Sequence, residues 1–122
     1  MNERPADLTG FVEDLVAGLH GAVLVTDRDM RVIAVNDEWQ RDLRMPREEA
    51  LGRDFFDVVA SAEQWRGLFD RCLAGEVVKT DRVRLVGKSG RATWLRSSSL
   101  PWRDASGEVG GVLVLSQRLS AA

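Results

Sequence analysis

Tyrosine is absent from this chain, and cysteine and histidine occur once each. One cysteine cannot close an internal disulfide, and Cys72 with His20 cannot build a zinc site that draws on several Cys or His ligands. Mechanisms that use a tyrosine hydroxyl are excluded as well. Long hydrophobic runs are missing too: nothing approaches the roughly 20 apolar residues that span a bilayer, and Met1 to Gly10 lacks the Lys/Arg-led apolar core of a signal peptide. Neither sign of charge dominates. The 17 Lys and Arg against 19 Asp and Glu leave a formal net charge of −2, which argues against the broad basic footprint of a general nucleic-acid binder. The expectation is a cytosolic protein with no membrane and no nucleic-acid partner, and a single cysteine suits a reducing compartment.

What is present is a globular composition. With 44% hydrophobic and 30% charged residues over 122 positions, the chain fits one domain with its own core. Leu8, Phe11, Val12, Leu15, Val16 and Leu19 recur at helical spacing, so Leu8 to Leu19 reads as an amphipathic helix. Gly10 and Gly18 weaken it by up to about 1 kcal/mol each, so it needs a surface to pack on. Ala22–Thr26 and Arg31–Val35 read as a hairpin around Asp27 to Met30, whose carboxylates suit an Asx-type turn. Asn36 is placed to cap a short helix through Trp39 and Leu43. Pro46 opens another short turn that Gly52 stops. Phe55, Phe56, Val58 and Val59 form an apolar knot. Ser61 and Gln64 have capping-box spacing ahead of a helix carrying Trp65, Leu68, Phe69 and Cys72, closed by Gly75.

The last third changes period. Val77–Val86, Arg91–Trp102 and Val109–Ser116 are β-rich and separated by turn sequences, giving a meander. Helices beside five antiparallel strands make an α+β layer.

Candidate chemistry is sparse. Gly87-Lys88-Ser89 lacks the earlier Gly of a phosphate loop, since Arg82 stands there, and it leads into a strand. Asp27 and Asp29 lack the Gly of a calcium loop. His20 has no catalytic partner nearby and suits a helix end, while Cys72 falls on an apolar stripe as a small core residue. Alternation in the fourth strand puts Thr93, Leu95, Ser97 and Ser99 on one face, and Trp94, Arg96, Ser98, Leu100 and Trp102 on the other. The serines offer hydroxyls to a ligand or a water, or else form a solvated face; the tryptophans need cover.

Several strings in this order resemble those of a PAS domain, a small sensor module of signalling proteins. They are Val25-Thr26-Asp27, Val35-Asn36, Leu51-Gly52-Arg53-Asp54-Phe55-Phe56, Gly75-Glu76, Lys88-Ser89-Gly90 ahead of Trp94, and Pro101-Trp102-Arg103-Asp104 with Gly107. The resemblance runs from about residue 22 to 118. It implies a five-stranded antiparallel sheet of order 2-1-5-4-3 with helices over one face. The organisation is then a flanking amphipathic helix over 1–20, a PAS domain over 21–119 and a tail over 120–122. Three cofactor chemistries of the family do not fit. A flavin–Cys adduct needs a cysteine where Phe55 stands, and polar amides where Leu85 and Leu95 stand. A coumaroyl chromophore needs a cysteine near Ser61 or Ala62 and a tyrosine partner. A His-ligated haem needs a histidine on the long helix, and Trp65 to Leu73 contains none. The family's Asp-Ile-Thr output link corresponds here to Arg118, Leu119 and Ser120.

The resemblance leads to two readings of function. In the first, a non-enzymatic sensor holds a small apolar or weakly polar ligand in a pocket lined by Leu24, Thr26, Val32, Ala34, Phe55, Leu68, Phe69, Val83, Leu85, Leu95, Ser97, Ser99, Val112 and Val114, and signals to a histidine kinase or other effector. In the second, the same side chains fill the core and the chain is a ligand-free homodimerisation module, joined through Leu8, Phe11, Val12, Leu15 and Leu19 with Trp94, Leu100 and Trp102. A small α+β enzyme is the remote alternative, since no acid/base pair is placed by sequence. No metal site is expected.

Overall fold

A computed structural model describes residues 21–59, 62–86, 90 and 92–119. The elements in chain order are β1 (Ala22–Thr26), β2 (Val32–Val35), α1 (Asp37–Leu43), α2 (Arg47–Ala50), α3 (Phe55–Val58), a 3-10 turn (Ala62–Trp65), α4 (Arg66–Leu73), β3 (Val78–Val86), β4 (Ala92–Arg103) and β5 (Val109–Arg118). The strands form one antiparallel sheet of order β2-β1-β5-β4-β3. The expected helix over Leu8–Leu19, His20, the capping Ser61 and the Gly87-Lys88-Ser89 turn lie outside the described residues.

Local chemistry explains the connections. Asp27 Oδ1 accepts from the backbone N–H of Asp29 (2.8 Å) and Arg31 (2.9 Å), closing the β1–β2 turn as the sequence predicts. Asp104 does the same between β4 and β5, where its Oδ1 accepts from the Ser106 hydroxyl and from the N–H groups of Ser106 and Glu108. These bonds, the hydroxyl's first, hold its carboxyl below the usual carboxylate value.

Asn36 joins helix to sheet. Its Oδ1 accepts from Trp39 N (2.9 Å) as an N-cap and from Val23 N (3.0 Å), while its Nδ2 donates to Gly21 O (2.8 Å). Leu51 to Asp54 run back along the free edge of β2: Val32 N donates to Arg53 O (2.9 Å), Gly52 N to Val32 O (2.8 Å), and Phe55 N to Met30 O (2.8 Å). This both covers an edge strand and sets Phe55 into the core. Asp54 then caps α3 by accepting from Phe56 N (2.8 Å).

The helices pack on one face of the sheet. Trp39, Leu43, Phe55, Val58, Trp65, Phe69 and Cys72 meet Leu24, Val32, Val35, Leu85, Leu95, Val112 and Val114 in the main core. A second, smaller cluster on the other face holds Val23, Val25 and Ala34 with half-buried Ile33, Trp102, Leu113 and Leu115. Ala34, expected on the pocket wall with Val32, belongs to this second face. The cause is a bulge: Val25 pairs with Ala34 and Thr26 with Val32, leaving Ile33 extra, so the alternation of β2 shifts by one and Val35 takes the core position.

Candidate functional site

Between the sheet and the helices lies a cavity. β1 contributes Ala22 and Leu24, and α1 contributes Trp39, Asp42 and Leu43. Phe55 and Trp65 close the helical side, and Leu85, Leu95, Val114 and Ser116 form the floor on β3, β4 and β5. The space open to the centre of a water molecule is about 20 Å³, which holds about one water. A larger guest enters only if the wall formed by α1, Phe55 and Trp65 moves outward.

Aromatic rings make that wall. Phe55 lies 4.9 Å from Phe69 and 6.1 Å from Trp65, centroid to centroid, with Trp65 and Phe69 5.8 Å apart. Phe56 meets Phe55 edge-on at 5.5 Å, and the Arg66 guanidinium lies 3.9 Å over the Phe56 ring. Such pairs add about 0.5–1.5 kcal/mol each beyond the area they bury.

Polar groups at the cavity are few. Ser116 Oγ is bonded to Ser97 Oγ at 2.9 Å. Asp42 Oδ2 and Trp65 Nε1 are buried and have no hydrogen-bond partner among the described residues, and both residues line the cavity. Trp65 is only 2% exposed. Burial pushes the Asp42 carboxyl above its ordinary value; Glu38 adds to the shift, and Arg118 and Arg41 oppose it. Ser99 Oγ is a third buried atom without a partner among the described residues, and Ser99 is not one of the residues that line the cavity.

Of the residues expected to line a pocket, Leu24, Phe55, Leu85, Leu95 and Val114 line this one. Val32, Phe69 and Val112 pack in the core around it, with half-buried Leu68 and Val83 against them. Thr26 turns its hydroxyl to structure, accepting from Val112 N (3.3 Å) and donating to Met30 Sδ (3.9 Å). Ser97 is taken up by Ser116, so the expected Ser97/Ser99 pair is not a shared ligand-facing edge. Residue-by-residue reading did not assign Ala22, Trp39, Asp42, Leu43, Trp65 and Ser116 to a pocket. The signal for Asp42 was there: it stands three residues after Trp39 on the same short helix, on the side that Trp39 and Leu43 turn inward.

The remaining predicted chemistry is quiet. Cys72 is buried, and burial raises its thiol above the ordinary value, which disfavours the reactive thiolate. Among the described residues no three His, Cys, Asp or Glu side chains group as a metal site, and no helix is long and apolar enough to cross a membrane. On the outer sheet face Trp94 is 41% exposed with the Arg82 guanidinium 4.4 Å over its ring. Leu100 is half-buried, and Trp102 packs within the chain on the second cluster. Leu8, Phe11, Val12, Leu15 and Leu19 lie outside the described residues.

Comparison with known proteins places this architecture. No curated protein sequence matches the chain. The PAS domain of a protein from Colwellia psychrerythraea superposes with a TM-score of 0.75 at 16% identity, covering 95% of this chain and all of that one. A PAS domain from a two-component sensor histidine kinase gives 0.65 at 19% identity, covering 95% of this chain and all of that one. VqmA of Vibrio cholera, solved as a complex with ligand and DNA, gives 0.72 at 18% identity; 98% of this chain is covered, and it spans about half (53%) of that protein. The family described as PAS fold matches residues 16–122, a span that includes every strand of the sheet and its helical cover, and the chain therefore belongs to the PAS fold family.

Proposed function

We propose that this chain is a non-enzymatic sensory module that binds a small molecule in the cavity between its sheet and helices, and that occupancy changes how it associates with a second copy or with a signalling effector such as a histidine kinase. The cavity itself carries the reading. Protein interiors are packed to crystal-like density with few voids that admit water, yet here one lies under the helices, among aromatic rings, with a carboxylate and an indole in its wall. Among the described residues the wall holds one carboxylate and no second acid or base to exchange a proton with it, which favours binding over catalysis. The histidine kinase PAS domain and VqmA, solved with a ligand, support the reading through likeness of fold. Native mass spectrometry and an absorption spectrum of the purified protein test it. A bound small-molecule mass, released on denaturation, is the expected result. A bare protein mass, with no small molecule taken up on soaking, would count against it.

A second reading is favoured by the outer sheet face, where Trp94 is exposed and Ile33, Leu113 and Leu115 stay half-buried. The amphipathic segment 8–19 would cover this face in its own chain or in a second copy, making the chain a ligand-free dimerisation module. Association that is lost with residues 1–20 and does not respond to a bound small molecule is the outcome expected of this second reading; association that changes with occupancy favours the first.

A further inference from the structure

We infer that the cavity selects an uncharged molecule that carries one hydrogen-bond donor for Asp42 and one acceptor for Trp65 on an otherwise apolar body, the chemistry of a small amide or lactam, and that it rejects carboxylates. The inference rests on the ligand-binding reading above and adds the class of ligand.

Buried polar side chains in folded proteins are nearly always hydrogen-bonded, and the exceptions mark a missing partner. Two such exceptions, Asp42 Oδ2 and Trp65 Nε1, belong to residues lining one cavity. Their requirements are opposite when Asp42 is ionised: a carboxylate only accepts, and an indole N–H only donates. Ser116, the remaining polar residue of the wall, is already bonded to Ser97. Leu24, Phe55, Leu95 and Val114 surround the rest of the space with apolar surface. An apolar guest would leave both groups unpaired. An anion would meet the Asp42 carboxylate, and among the described residues no Lys or Arg lines the wall, Arg118 and Arg41 acting on Asp42 from outside it. A simple ammonium satisfies the carboxylate but has no acceptor for the indole. A neutral donor–acceptor molecule satisfies both, as would the single water that the closed cavity admits; the larger guest displaces that water as the wall opens.

Four ring-sized probes separate these cases on the full chain: 2-pyridone, toluene, benzoate and benzylammonium. The readout is the indole N–H resonance of Trp65, identified with the Trp65→Phe variant. The expected result is saturable binding of 2-pyridone, with benzoate, benzylammonium and toluene each at least about tenfold weaker. Trp65→Phe, which keeps a ring, and Asp42→Ala, which removes the acceptor, each weaken 2-pyridone by a similar factor. Equal binding of toluene, benzoate or benzylammonium overturns the inference while leaving a ligand cavity intact, as does unchanged 2-pyridone binding in both variants. Exclusion of all four probes overturns this inference and the ligand-binding reading together.

Discussion

The indole N–H of Trp102 donates to the carbonyl of Thr26 across 2.7 Å. This bond sits where β1 leaves the sheet. The Val112 N–H is taken by the Thr26 hydroxyl, and the Thr26 carbonyl turns to the indole of a strand two places away. Close approach makes it work: a Cβ at Gly111 would overlap the Thr26 carbonyl, and one at Gly110 would overlap the Trp102 ring. Trp102→Phe keeps most of the packing and should cost about 1 kcal/mol. Gly110→Ala forces the ring off its seat and should cost about 1–3 kcal/mol. Urea unfolding of both variants checks this, and an unchanged midpoint for Gly110→Ala would contradict the packing.

Asn36 satisfies three backbone groups on two elements. Asn36→Ala removes an N-cap, worth about 1 kcal/mol, and leaves Val23 N and Gly21 O without that partner in a buried site. A loss of about 2–4 kcal/mol in chemical denaturation is expected, well above that of a surface substitution such as Glu48→Ala.

The two shifted carboxyls predict opposite pH dependences. Burial raises Asp42, so between the ordinary value of 3.8 and its raised folded value the folded state holds more protons than the unfolded one. Stability therefore falls as pH rises through that window and stays lower above it. Asp104, lowered by its turn hydrogen bonds, contributes stability that is present above 3.8 and lost as pH falls through its folded value. Asp42→Asn should remove the first dependence, raise the melting temperature near neutral pH and leave the acid-side loss in place. Thermal unfolding from about pH 3 to pH 7 reads both arms.

Ser99 is 1% exposed, and its hydroxyl has no partner among the described residues. An unpaired buried hydroxyl is destabilising, so Ser99→Ala should be neutral or stabilise by up to about 1–2 kcal/mol. Ser97→Ala breaks the bond to Ser116 and should destabilise. Equal losses for the two variants in denaturant titrations would refute the assignment.

If segment 8–19 covers the outer face between copies, a chain lacking residues 1–20 should run as monomer or aggregate in multi-angle light scattering. Trp94→Ala should weaken association more than Ser97→Ala, because Trp94 is exposed on that face while Ser97 is buried under the helices. An unchanged dimer after truncation would remove this reading.

Much of the fold was legible because it is written in local chemistry. The turn carboxylate at Asp27, the turn over Asp104 to Gly107, the cap at Asn36, and alternation along β4 are set by neighbours a few residues apart, and the structure places each as the sequence predicts. The order of strands came from resemblance to a family rather than from periodicity. What sequence alone could not give was parity and partnership across distance. The extra residue Ile33 moves Ala34 to the other face, because a bulge depends on the pairing strand and not on the strand's own pattern. The Ser97–Ser116 bond spans two strands, and it leaves Ser99 alone. Asp42 shares the inward side of its helix with Trp39 and Leu43, but only tertiary packing buries one of its oxygens beside the cavity that Trp65 also lines. The sequence determined which elements form. The packing of helices on the sheet decided which polar atoms would be cut off from water, and those atoms define the candidate site.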